Sequence, residues 1–550
     1  MSVLAIVAMV ASCKKDSGSS NNNSNLPADM KPQPVVVDPG KLHAPALFAN
    51  VPADAPYVVG AFEAVPLDYY AKMKTALAPT FANMAQLFRD MDSTGKPSLI
   101  SAVMQEMDGK WNAQGLESLG FSSQPRFALY GLGLLPVVFR IEVKDQKTLL
   151  ATIERVAKQA GQSLPPMEQK DGRTWWRLHD AKMDVLVALA DNQLVFALGP
   201  PARIDANLGL ILGSEKPAQS MADGKALTEV MTRHGFGPHL IGFVDTKRLA
   251  TAAFAYDGRQ MTPACSTQID AFATAAPRVV IGYAEISPKR ASGGVVVELS
   301  QTLIKELAAL KTEVPGLAQA VADQPMLAFG GGIDLPAAHK LGQRAVAVVG
   351  GIGQACDLEV FREASADLGE ALGRPLPDPL AKVVGAVFAV KSVQMSKSML
   401  PEKAEAFGLL ATTDGKAFVE DMMKEQPALR RIGLETDGKL HPVGQGMLPL
   451  PFEVKAGVGG KNVVVAIGAQ GEKLATETID AKGGGKVPFL VATYDYGKFM
   501  ELNRQITGGF DPDDALSGGK DPFTTVFGRT VFSIDVNDKG LVGWGTVEMK

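Results

Sequence analysis

The chain has 550 residues, 46% of them apolar and 21% charged, with a formal net charge of −4 at pH 7. That length is too great for one hydrophobic core, so at least two globular domains are expected. The slightly acidic balance excludes the concentrated basic field of a nucleic-acid binder. Beyond the first dozen positions no apolar run approaches the ~18 residues of a membrane-spanning helix.

Ser2 to Ser12 are apolar or small. The run is too short to cross a bilayer, which takes about 20 residues, but suits the apolar region of a secretory signal, about 7–15. Lys14 to Pro34, KKDSGSSNNNSNLPADMKPQP, is rich in Ser, Asn and Pro. It cannot bury enough apolar surface to fold and reads as a flexible tether. Between them, Val10-Ala11-Ser12-Cys13 resembles the lipobox of bacterial lipoproteins. The resemblance implies a signal peptide over 1–12, lipidation of Cys13 (palmitate among its acyl groups) and a lipid-anchored linker over 13–45. Met1 to Ser12 lack the Lys or Arg usual in that family. Lys14 stands where Asp would retain a lipoprotein at the inner membrane. The implied location is therefore the cell envelope, at the periplasmic face of the outer membrane, with the membrane itself as partner.

From residue 46 the elements follow in order. Tyr57–Phe62 reads as a strand, and Asp68 to about Leu119 as helical. FALYGLG and PVVFRIEV form a strand pair. The helix after Asp145 aligns Leu149, Ile153, Val156 and Ala160 on one face and stops at Gly161. TWWRL, MDVLVALA and QLVFALG form a meander with Asp191-Asn192 as a turn. Further helices flank a strand ending at Asp245, and RVVIGYAEIS with GGVVVELS closes the unit. Strands joined by short turns imply antiparallel pairing, so the fold class is α+β.

The second half repeats this grammar. Asp54-Ala55-Pro56 before an apolar strand recurs as Asp323-Gln324-Pro325, an offset of 269 (323 − 54). Asp145 recurs as Asp414 and Gly199 as Gly468 at the same offset of 269 (414 − 145, 468 − 199). Asp245 then matches Asp495, and Glu298 matches Glu548, at 250 (495 − 245, 548 − 298). The reading is two tandem pseudo-repeated modules, 46–312 and 313–550, each a mostly antiparallel sheet with packed helices. FANVPADAPYVVGAFE with GLLPVVFRIEVKD resembles uncharacterised bacterial envelope proteins grouped as a domain of unknown function. That resemblance implies repeated α+β units and no catalytic residue.

Acids shared by both halves are Asp145/Asp414, Asp245/Asp495 and Glu285/Asp535. The first four sit where a strand ends and a helix begins, so N-capping accounts for them better than acid–base chemistry. Gly350 to Gly353 follow an apolar run, yet Cys356 stands where a dinucleotide fingerprint needs its third glycine. A packed small-residue helix is the preferred reading. The six histidines form no H-E-x-x-H, there is no C-x-x-C, and Asp511-Pro-Asp513-Asp514 lacks the rest of a calcium loop. No metal and no cofactor are expected.

Cys265 and Cys356 would meet an oxidising compartment, which permits a disulfide. Two separate buried thiols is nevertheless the preferred reading. Trp175 and Trp176, adjacent on a strand, point to opposite faces, which offers one indole to a ligand or partner. Packing of both rings inside the protein is preferred.

The leading functional expectation is a non-enzymatic binding or scaffolding lipoprotein with an envelope protein as partner. The alternatives are an envelope hydrolase with an unrecognised site, and a carrier holding an apolar ligand between the modules. The carrier requires a large Met/Phe-lined cavity.

Overall fold

The computed structural model describes residues 42, 45–73, 99–161, 163–170, 172–179, 182–396, 401–444, 451–506 and 523–550. Cys13, the signal, the tether, Pro79–Met91 and Asp511–Asp514 lie outside the described residues.

Among the described residues nineteen strands join in one sheet. The first half supplies β1 (Tyr57–Gly60), β2 (Phe127–Gly131), β3 (Val137–Glu142), β4 (Glu168–Lys170) and β5 (Arg173–His179). It continues with β6 (Asp184–Ala190), β7 (Gln193–Gly199), β8 (Ile241–Asp245), β9 (Arg278–Ile286) and β10 (Arg290–Glu298). The second half supplies β11 (Leu327–Gly332), β12 (Val383–Met395), β13 (Pro401–Thr412), β14 (His441–Pro442) and β15 (Val454–Val458). It ends with β16 (Asn462–Ile467), β17 (Leu490–Asp495), β18 (Phe527–Val536) and β19 (Gly540–Met549).

Every pairing among these strands is antiparallel. β10 pairs with β19 along Arg290–Glu298, so where the sequence predicts a sheet in each half, the structure has one continuous sheet. Outward from β10 come β9, β8, β1, β2, β3, β7, β6, β5 and β4. Outward from β19 come β18, β17, β11, β12, β13, β16, β15 and β14. Asp191 and Asn192 join β6 to β7 with φ of 52° and 58°, the left-handed pair that matches strand twist in a two-residue hairpin.

The longer helices are α1 (Leu99–Met107), α2 (Gln146–Gln159), α3 (Ala226–His234), α4 (Thr246–Tyr256), α5 (Pro263–Ala275) and α6 (Gln301–Leu310). They continue with α7 (Leu335–Ala355), α8 (Glu359–Gly373), α9 (Gly415–Glu425), α10 (Gly468–Thr478) and α11 (Tyr496–Ile506). Four begin as the sequence predicts. Asp145 accepts from the Lys147 and Thr148 amides, Asp245 from Arg248 at 2.9 Å, Asp414 from Ala417 at 2.9 Å and Asp495 from Lys498 at 3.1 Å. Each satisfies a first-turn N–H that would otherwise lack a partner. α7 is the helix expected through Gly350–Gly353, and Gly353 lets the α8 backbone close in, since a Cβ there would lie 2.8 Å from the Arg362 nitrogen.

Directly opposed residues in an antiparallel pair share a face. One face of the sheet is the core. Val58, Ala128, Val138, Val195, Val280, Val296 and Val542 pack under Leu47, Phe48 and α3. Ala328, Val387, Leu409, Val464 and Val491 pack under α10 in the second half.

Candidate functional site

The opposite face of the sheet is also apolar, and much of it is open. Phe196, Leu198, Ile281, Val295, Phe329, Phe388, Val465 and Phe532 are 38–45% exposed, although each lies within a strand. Register puts them on one side. Phe196 lies opposite Phe139, Phe139 opposite Leu129, Leu129 opposite Val59 and Val59 opposite Gly242. The row runs on through Ile281, Val295, Gly543 and Ile534 to Leu490. Two residues along β17, Ala492 lies between Phe532 and Phe329, and the line continues through Phe388 and Gly408 to Val465. Phe329 and Phe388 touch, with ring centroids 5.4 Å apart. No charged side chain interrupts this line. Antiparallel sheets commonly wet one face with polar residues; this one does not.

Helices close parts of that face. α2 covers its outer end through Leu149, against Trp176, Leu189 and Leu194. α9 does the same at the other end, where Phe418 and Val419 meet Leu410 and Val463. Near the middle, α4, α5, α7 and α8 enclose an apolar cleft of about 530 Å³, lined by Leu249, Phe254, Phe272, Ile352 and Phe361. Its sheet wall is Val244 and Val279, two residues along their strands from Gly242 and Ile281, so the cleft opens directly off the exposed row. The volume is that of a small-molecule site. At its rim the Arg259 guanidinium stacks over Phe254 at 5.0 Å and donates to the Asp357 carbonyl.

Cys265 of α5 and Cys356, just beyond α7, form a disulfide beside this cleft. The expectation of two separate thiols is therefore corrected. The two residues share a small core with Phe254, Ile269 and Ile352, which brings the sulfurs together although 91 residues separate them. For the tryptophans the preferred reading, both rings packed inside the protein, holds, and the alternative of an exposed indole offered to a partner is corrected. Trp175 and Trp176 point to opposite faces, as expected, but are only 5% and 3% exposed. Trp175 joins the main core and Trp176 lies under α2.

The shared acids do not converge on a site. Four are helix caps, Asp535 pairs with Lys311 at 2.6 Å, and Glu285 accepts from the Ser287 hydroxyl.

Two buried polar centres escape the sequence reading. Glu298 accepts from His234 Nε2 at 2.8 Å and from Arg278 Nε at 2.7 Å. Burial pushes its carboxyl up, but the bonds from His234 and Arg278 outweigh that and bring it down to about 2. Arg140, fully buried on β3, donates to Tyr130 Oη, Gln193 Oε1 and the Leu210 and Ile211 carbonyls. Both centres tie helices to the core face, away from the open one. Glu435, Asp437 and His441 cluster at the surface before β15, with His441 Nε2 2.9 Å from Asp437 Oδ1; the two acids are exposed.

No family model, no curated protein and no solved structure matches this chain.

Proposed function

We propose that the chain is a lipid-anchored, non-enzymatic binding protein of the bacterial cell envelope, held through Cys13, and that its ligand is apolar. One observation carries the reading: eight large apolar side chains stand exposed on one uncharged face of the sheet. Monomeric soluble proteins rarely leave a contiguous apolar patch of this kind uncovered unless it binds something. The adjoining 530 Å³ cleft adds concave volume of the same character.

The chain also reads as one module written twice. In support, the strand order outward from the β10–β19 seam corresponds in the two halves, strand for strand, except that β4 has no counterpart among the described residues of the second half. At that seam Gly294 lies opposite Trp544, its own equivalent at an offset of 250 (544 − 294), as at a two-fold contact. The ligand-binding face thus spans both halves.

The test is titration of the purified full chain with parinaric acid, a fluorescent long-chain fatty acid. Saturable binding displaced by palmitate is expected, and a flat titration overturns the reading. Separately, Cys13→Ala is expected to release the protein from membranes into the soluble periplasmic fraction. Continued sedimentation with membranes overturns the anchor.

A further inference from the structure

We infer that Glu435, Asp437 and His441 form a binding site for a divalent transition ion of the zinc class, with one coordination position left open. The inference is independent of the apolar-ligand reading above. The stretch runs Leu434-Glu435-Thr436-Asp437-Gly438-Lys439-Leu440-His441. Its two leucines fix it at both ends. Leu434 packs with Phe418, Val419 and Val463, and Leu440 packs against the core that holds Leu409 and Val464. Between them Gly438 takes a left-handed φ of 78°, and its amide donates to the Val458 carbonyl at 3.2 Å. A Cβ at Gly438 would also lie 3.0 Å from Asp480 Oδ2, so the turn requires glycine there. His441 opens β14 opposite Ala456. The turn doubles the chain back and brings the three polar side chains together.

His441 Nε2 lies 2.9 Å from Asp437 Oδ1 and 3.6 Å from Glu435 Oε2. All three ligand atoms lie within 4.8 Å of one another, and among the described residues no other group of three His, Cys, Asp or Glu side chains comes this close. With bonds of about 2.0–2.2 Å to zinc, the edge of a tetrahedron of ligands is about 3.3–3.6 Å. The two separations from the imidazole fall on either side of the middle of that range, so small rotations of the carboxylates complete the triangle.

A surface ion pair accounts for only part of this arrangement. One imidazole N–H serves one acceptor, and Asp437 takes it. Glu435 is drawn to the same nitrogen at a separation too long for a hydrogen bond. Two carboxylates this close repel each other, and a dication relieves both. The bond from His441, then the 3.0 Å bond from the Lys439 amide, hold the Asp437 carboxyl below its usual range, in the ionised form that ligates.

Donor chemistry selects the ion. Calcium and magnesium take oxygen ligands, whereas imidazole with carboxylates suits zinc. Three protein ligands leave the fourth position of a tetrahedron for water or another donor. With Glu435 61%, Asp437 42% and His441 27% exposed, that position faces solvent. The spacing Glu-x-Asp-x-x-x-His matches none of the linear metal motifs, so a motif search passes over it.

The test is calorimetric titration of the chelator-stripped full chain with zinc chloride. One equivalent bound with a Kd below about 10 μM is expected. His441→Asn, Asp437→Asn and Glu435→Gln should each weaken binding at least ~10-fold. Asn at position 437 keeps an acceptor for the Lys439 amide, so the turn survives that change. His179→Asn is the control, since His179 meets Asp184 at 3.1 Å but belongs to no such group of three, and it should bind like wild type. Zinc should also slow amide exchange in Leu434–His441. A Kd above about 100 μM overturns the site, as does an affinity that any one of the three substitutions leaves unchanged, or an equal loss in His179→Asn. Should a variant fail to fold, exchange in the wild-type chain decides: zinc-dependent protection of Leu434–His441 supports the site, and its absence there overturns it.

Discussion

Removing the Cys265–Cys356 bridge separates two roles that the structure gives it. The bond closes a loop of 91 residues. In the chain-entropy account, a cross-link of that span restricts the unfolded chain by about 4–5 kcal/mol at 25 °C, a large share of the roughly 5–15 kcal/mol that holds a domain folded. The bond also joins α5 to the end of α7, two walls of the apolar cleft. The double variant Cys265→Ala/Cys356→Ala is therefore expected to lose about 4 kcal/mol in urea unfolding. Amide exchange should accelerate first in Pro263–Ala275 and Leu335–Ala355, and parinarate affinity should fall as the walls separate. Treating wild type with reductant should reproduce all three effects. A loss below about 1 kcal/mol, with exchange in α5 and α7 unchanged, would refute the view that this bond constrains the cleft.

Glu298 makes the core acid-sensitive in a defined window. Its carboxyl is lowered from 4.5 to about 2 in the folded chain, so its contribution is fully present above about pH 4.5 and is lost as pH falls toward 2. That shift corresponds to roughly 3 kcal/mol; Glu298→Gln should remove most of it at pH 7 and flatten urea stability between pH 5 and 2, and an unchanged slope would show that the carboxylate is not coupled to folding. Phe329→Asp/Phe388→Asp puts charge on the open face without touching the core; solubility should rise and parinarate binding should fall, while binding at wild-type strength would argue against that face. Asp145→Ala and Asp414→Ala each remove a cap and should cost about 1 kcal/mol in urea unfolding, an effect an exposed acid with no cap would not show.

Much of the strand inventory is visible in the sequence because turn chemistry and apolar runs are local. Asp191-Asn192 names its turn, and an aspartate between a strand and a helix names its cap. The open face carries a subtler local signal: MDVLVALA and NVVVAI are apolar at nearly every position, without the alternation expected when one face of an antiparallel sheet meets water. Which of the two faces is filled by the protein depends on pairing across the whole chain, and no short window contains that. The same holds for Cys265 and Cys356, and for Arg140 and Glu298, whose partners lie up to 91 residues away in sequence. A glycine forced by a neighbouring carbonyl, Gly293, and one whose Cβ would meet no atom of the described residues within 4 Å, Gly543, are the same letter.

The two ends of the sheet have a consequence for how such a molecule survives at high concentration. An open array of this breadth presents two rows of unsatisfied amides, and any exposed long ribbon could recruit another copy and grow into a fibril. Among the described residues the terminal ribbons are Glu168-Gln169-Lys170 and His441-Pro442, one charged and one interrupted by proline, and neither exceeds three residues. Stacking is thus blocked at the rims, which lets the broad greasy surface between them stay uncovered without turning the protein into its own polymerisation seed.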